Sequence, residues 1–199
     1  MNVYVLLHMS DRTFGLDPID PPLDSEMGRY WTEGLNVDSC ARHKILQHWQ
    51  PIRLRPRIYR GKPNIKGLCD IHGYGLLLGF EHVISSRARE VFEREFPDSA
   101  TYLRVDVEGV AEPYWVLWIN TVLDAIDLSH SDVTDIAPGL KHVSLREYRQ
   151  DVVGDCPMFR LPLIYNEPDH VTDRFRSVVE RYELTNFGFW DRKKPGKTD

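Results

Sequence analysis

Apolar residues recur along this chain in two rhythms, and the change from one to the other marks its elements. In residues 86–96, Ala88, Val91, Phe92 and Phe96 fall at helical spacing while Arg87, Arg89, Glu90, Glu93 and Arg94 lie mostly off their face, which predicts a surface helix packed on a core. Ser85 or Ser86 offers a hydroxyl to its first turn and Pro97 ends it. A second such helix is predicted over 173–184, capped by Thr172 or Asp173, with Phe175, Val178, Val179 and Tyr182 on one face. Elsewhere the period is two. Leu103, Val105 and Val107 alternate with Arg104 and Asp106, residues 108–113 turn the chain, and 114–119 form a fuller apolar run, so a β-hairpin with a buried second strand is expected.

Residues 1–8 read as the opening strand, without the basic region and cleavage site of a signal peptide, and Phe187-Gly188-Phe189-Trp190 reads as the last strand. Ile52 and Leu54 alternate with Arg53 and Arg55 until Pro56; proline cannot donate to a ladder, so this segment reads as an edge strand. Leu76-Leu77-Leu78 is a strand candidate within the glycine-punctuated stretch 62–79, and 158–164 is another, in which Pro162 favours an edge or a strand end. Residues 11–34, rich in Asp, Pro and Gly, predict a long surface loop. The fold class is therefore α+β, with a mixed sheet and two amphipathic helices packed on it. A single domain is expected over 1–190, comprising an N-terminal stretch (1–75) and the remainder (76–190), followed by a basic, solvated tail over 191–199.

The two predicted helices also align with each other. Residues 86–95 and 173–182 agree at Arg87/Arg174, Arg89/Arg176, Val91/Val178, Glu93/Glu180 and Arg94/Arg181. Two readings stand at this point: a duplicated strand-helix-strand unit whose helices cover one sheet, or two amphipathic helices built from common residues.

Charge and composition narrow the function classes. A net charge of -5 and a pI near 5.9 lack the clustered Lys and Arg that neutralise phosphates, so no nucleic-acid partner is expected. No apolar run reaches the roughly 18 residues that cross a bilayer, so no membrane partner is expected either. Three cysteines, Cys40, Cys69 and Cys156, are too sparse and too odd in number for a disulfide framework, and a reducing cytoplasm fits them best.

The sharpest chemical pattern is a pair of Cys-x-x-His motifs. Cys40 with His43 and Cys69 with His72 can surround a tetrahedral metal with two thiolates and two imidazoles. Against this, structural zinc sites more often pair two cysteines first, and a core cysteine beside a surface histidine is the usual fate of such residues. No local pattern singles out a cysteine nucleophile, and Gly73-Tyr74-Gly75 lacks the positions of a phosphate cradle. The acidic stretch Asp124, Asp127, Asp132 and Asp135 lacks the glycine and terminal glutamate of a calcium loop. It reads as a solvated loop, or as carboxylates that face a basic partner. No catalytic residue and no cofactor are expected.

In chain order, Val83-Ile84-Ser85-Ser86-Arg87 opening a helix, Val122-Leu123-Asp124-Ala125-Ile126-Asp127 followed by Ser129 or Ser131, Met158-Phe159-Arg160, and a final helix leading to Phe187-Gly188-Phe189-Trp190 form a series. It resembles a bacterial family of immunity proteins linked to polymorphic toxins, over residues 80–190 with an echo in the first strand. The resemblance implies a non-catalytic cytoplasmic protein that binds the active domain of a cognate toxin and protects the producing cell. Residues before 75 depart from that pattern, and the oligomeric state is not implied. The rival reading is a metal-binding enzyme or module built on Cys40, His43, Cys69 and His72. Protein purified without chelators is expected to contain no zinc by elemental analysis; about one zinc per chain would promote the rival.

Overall fold

The computed structural model describes residues 1–8, 15–19, 46–57, 69–74, 82–165 and 168–192. Among these residues the strands are β1 (Val3–His8), β2 (Gly15–Pro18), β3 (Ile52–Arg57), β4 (Ile71–Tyr74), β5 (His82–Ser85), β6 (Ala100–Val107), β7 (Tyr114–Ile119), β8 (Asp132–Ala137), β9 (Leu140–Leu145), β10 (Met158–Phe159), β11 (His170–Thr172) and β12 (Phe187–Trp190). The helices are α1 (Ser86–Glu95), the single turn α2 (Gln150–Val153) and α3 (Asp173–Arg181), and residues 46–48 are helical as well. The architecture is mixed α+β, and the expected single sheet is divided into three. Six strands close into a barrel in the order β2-β3-β6-β7-β5-β4, four form a sheet in the order β10-β11-β1-β12, and β8 with β9 make a two-stranded ribbon.

Alternation explains how these layers share one body. Leu16, Leu54, Val83, Val105, Val107, Val116 and Trp118 come from five barrel strands and meet in one cluster, which in a closed sheet places them inside the barrel. Their neighbours of opposite phase, Ile84, Leu117 and Ile119, face outward into a second cluster with both long helices. Tyr4, Leu6, Met158 and Val171 reach that cluster from the four-stranded sheet. Phe92 and Phe175, both fully buried, meet there with ring centroids 4.8 Å apart; Phe96 stacks on both, and Phe187 meets Phe92 edge-on. The other face of the sheet, with Val3 and Phe159, packs on Ala125, Ile126, Val143, Tyr148 and Tyr165.

The duplication has a structural counterpart. Ser86 and Asp173 open the helices, Ala100 and Phe187 open the strands that follow, and one offset separates both pairs. The same offset matches the buried positions Ala88, Val91 and Phe92 to Phe175, Val178 and Val179. In each unit the strands before and after the helix flank one antiparallel strand, β5-β7-β6 in the barrel and β11-β1-β12 in the sheet. The two helices do not cover a single sheet; they lie between two, back to back.

Several expectations need correction. The 52–57 strand is not an edge, because β3 pairs with β2 and with β6. Its proline is tolerated for a local reason. The carbonyl of Leu54 accepts from Glu108 on the β6 side, so the missing N–H of Pro56 points the same way, beyond Leu54↔Val107 where that pairing ends. The 11–34 loop contains β2. The stretch 158–164 is a strand only at Met158–Phe159 and then turns into a 3-10 turn at Leu163–Tyr165. Asp132 and Asp135 lie on a strand, not in a loop. The 76–78 strand candidate, Cys40 and His43 lie outside the described residues.

Asp70 ties the two repeated units together. Its Oδ1 accepts from Ser85 Oγ at 2.6 Å, and Ser85 in turn caps α1 by accepting from the Ala88 N–H. Its Oδ2 accepts from the backbone N–H and the hydroxyl of Thr185, in the turn after α3, at 2.9 and 3.1 Å. Arg87 adds a contact at 3.2 Å from a side chain that is more than half exposed. Asp70→Ala leaves buried donors unmatched and is expected to lower unfolding free energy by about 3 kcal/mol. Arg87→Ala, screened by solvent, is expected to cost below about 1 kcal/mol. Urea denaturation of the two variants checks the difference.

Candidate partner-binding surface

Between β7 and β10 the chain runs out and back as one long antiparallel ribbon. It begins at the Ile126↔Tyr148 bridge, where Arg149 donates its N–H to Ala125 and Asp127 donates its N–H to Glu147. It continues through Asp132↔Leu145, Val133↔Val143 and Asp135↔Lys141 to Ala137↔Leu140. Pro138 and Gly139 turn the tip. Gly139 adopts φ +75°, and a Cβ placed there would meet nothing within 4 Å, so the tip stands in open space. The inner side is pinned by Ala125, Ile126, Val143 and Tyr148.

Of the four aspartates anticipated from the sequence, Asp127, Asp132 and Asp135 lie along the first arm of this ribbon and Asp124 just before it, each with a partner. Asp124 accepts from the Tyr165 hydroxyl at 3.1 Å and lies 3.7 Å from Arg149, whose guanidinium also donates to the Asp124 carbonyl. Asp127 accepts from the Ser129 N–H at 3.0 Å and its hydroxyl at 2.6 Å, with His130 Nδ1 at 2.8 Å. The hydroxyl bond and then the imidazole hold its carboxyl down at about 2. Asp132 accepts from the Ser144 hydroxyl at 2.8 Å, and Asp135 pairs with Lys141 at 2.9 Å. Arg149 and Lys141 thus offset the two ends, and the middle keeps its charge.

The sequence reading missed the apolar side chains of this surface. Large hydrophobic side chains left exposed among the described residues are Met1, Val122, Leu128, Ile136, Leu145 and Ile164; Leu128, Ile136 and Leu145 belong to the ribbon and Ile164 to its neighbouring 3-10 turn. Alternation could not have found them: Val133 packs inward, but an irregularity between Asp135 and Ala137 breaks the period at Ile136, and every other position of this strand is exposed.

The other candidates have structural explanations. His72 is buried and turns its Nε2 back to accept from the Cys69 N–H at 3.0 Å, so the described half of the proposed metal set braces a turn. Among the described residues no three of His, Cys, Asp and Glu converge as metal ligands. Cys156 is half-buried, donates to the Met158 carbonyl at 3.1 Å, and burial pushes its thiol up. An open cleft of about 370 Å³ beside the end of α1 is lined by Glu93, Phe96, Tyr102 and Asn120. Asn120 is spent there on holding Asp98 and Thr101. No helix among the described residues is long and apolar enough to cross a membrane.

Behind the ribbon lies a buried polar centre. Arg146 is 1% exposed, donates to the Val143 carbonyl, and sets Nη1 3.2 Å from Nε2 of His170, which stacks on Phe159. Burial, helped by Arg146 and Arg192, holds His170 neutral, far below its ordinary range. Next to it, burial raises the Asp169 carboxyl to about 6 against the opposing pull of Arg160, 3.5 Å away. These groups are enclosed, so they orient the base of the ribbon and present no face to a substrate.

The chain matches the model of an immunity protein family, Imm11, over residues 53–194. That span includes the ribbon and both repeated units. No curated protein matches the chain.

The buried pair has a pH signature. Below about pH 6.5 the unfolded chain binds a proton that folded His170 refuses, so acidification removes stability. Between pH 6 and 4 folded Asp169 binds a proton that the unfolded chain lacks, so acidification restores some. His170→Gln keeps an acceptor for Arg146 and abolishes the first term. Relative to the native chain, its stability in urea is expected to rise as pH falls below 6, by up to about 1.4 kcal/mol per pH unit.

Proposed function

We propose that this chain, which belongs to the Imm11 immunity protein family, binds and neutralises a cognate toxin domain without catalysing a reaction. The observation that carries the reading is the family match, which spans most of the chain. The exposed ribbon supports it, because a stoichiometric binder needs a surface that the fold itself does not cover. The carboxylates of Asp124, Asp127, Asp132 and Asp135 contribute to that surface, and their charge speeds encounter with a basic face. The protein acts in the cytoplasm of the producing cell, consistent with Cys69 and Cys156 being free thiols.

The toxin's activity is left open by the family. Co-expression of this chain with the toxin domain encoded beside it is expected to restore growth, and the two purified proteins are expected to form a stable complex in size-exclusion chromatography. A cell still poisoned on co-expression, with no complex at micromolar concentrations, overturns the assignment.

A further inference from the structure

We infer that the outward aliphatic side chains of the ribbon, Ile136 and Leu145 with Leu128 beside them, are the anchors of the toxin contact, and that the carboxylates around them act as its steering rim. This rests on the immunity reading and adds to it the chemistry of the partner's face: an apolar centre bordered by Lys or Arg.

Three features of the ribbon lead there. Ile136 is 53% exposed, Leu128 47% and Leu145 42%, on a ribbon whose inward side is already filled by Val133 and Val143. Scattered surface hydrophobics are ordinary, but this concentration on one projecting element is not. Leu145 is paired directly with Asp132, and Leu128 sits within the turn braced by Asp127, so each lies beside a carboxylate. That arrangement, apolar contacts inside a polar border, is the anatomy of a protein interface.

The same features select the occupant. A second copy docking β8 against β8 would bring its own Asp132 and Asp135 arm against an identical one, and like charges facing each other oppose pairing. An added strand is hindered as well, because β8 carries irregularities between Asp132 and Val133 and between Asp135 and Ala137. The contact is therefore made by side chains, and complementary charge assigns it to a basic partner. Buried apolar anchors mainly govern dissociation, whereas rim charges govern association.

The test measures association and dissociation rates of the full chain with the toxin domain encoded beside it. Ile136→Ser with Leu145→Ser is expected to speed dissociation by about 30-fold or more while association stays within about threefold. Asp127→Asn with Asp132→Asn is expected to slow association about tenfold at low salt, to lose that effect at high salt, and to leave dissociation within about threefold. Ile136, Leu145 and Asp132 are exposed and Asp127 is half-buried, and unchanged urea midpoints verify that the variants remain folded. If the native chain binds and the aliphatic variant has native kinetics, the anchor assignment is wrong while immunity stands. If the native chain does not bind, both fall. A native dimer dissolved by Ile136→Ser with Leu145→Ser would also overturn the assignment, by giving the surface to a second copy.

Discussion

The contact between Phe92 and Phe175 is the joint on which the rest of the molecule depends. Each ring sits on a short helix that could not stand alone, since helices of this length gain their stability from a packed face. One helix belongs to the barrel and the other to the four-stranded sheet, so the rings bring two sheets into a common core at 4.8 Å separation. Asp70 reinforces the joint from its edge. A single carboxylate accepts from the cap of the first helix and from the turn after the second, which fixes how far each can rotate about the aromatic contact.

Much of this was legible in the sequence because its causes are local. Both helices, the cap at Ser85 and the hairpin of 100–107 with 114–119 follow from spacing that any short window contains. The Val91/Val178 and Arg94/Arg181 identities left a repeat and two helices of common residues as alternatives, and the strand order around each helix is alike. What escaped was decided by distant partners. Pro56 announces an edge only if nothing is known of β6, whose pairing ends at Leu54, two residues before the proline. The strand at 132–137 was hidden because its exposed positions are acidic, and the ladder that holds it is supplied by residues 140–145.

The candidate surface divides in the same way. Acidic residues are visible as composition, so the four aspartates could be named without a structure. Their meaning changed once each had a neighbour: Lys141 and Arg149 mute the ends, and the serine hydroxyls and His130 fix the middle in place. The aliphatics carry no such flag. An isoleucine in a strand looks like core until its register is known, and only then does Ile136 become an outward residue with nothing of its own fold to cover it.

The position of the ribbon in the chain has a consequence for recognition. It leaves after the first repeated unit and returns before the helix and last strand of the second, so the framework closes around it. Its outward positions contribute neither to the aromatic joint nor to the Asp70 bonds. Substitutions at these outward positions therefore leave the joint and the Asp70 bonds intact. On the proposed reading of the ribbon, recognition is carried by an appendage that the body's own packing does not constrain.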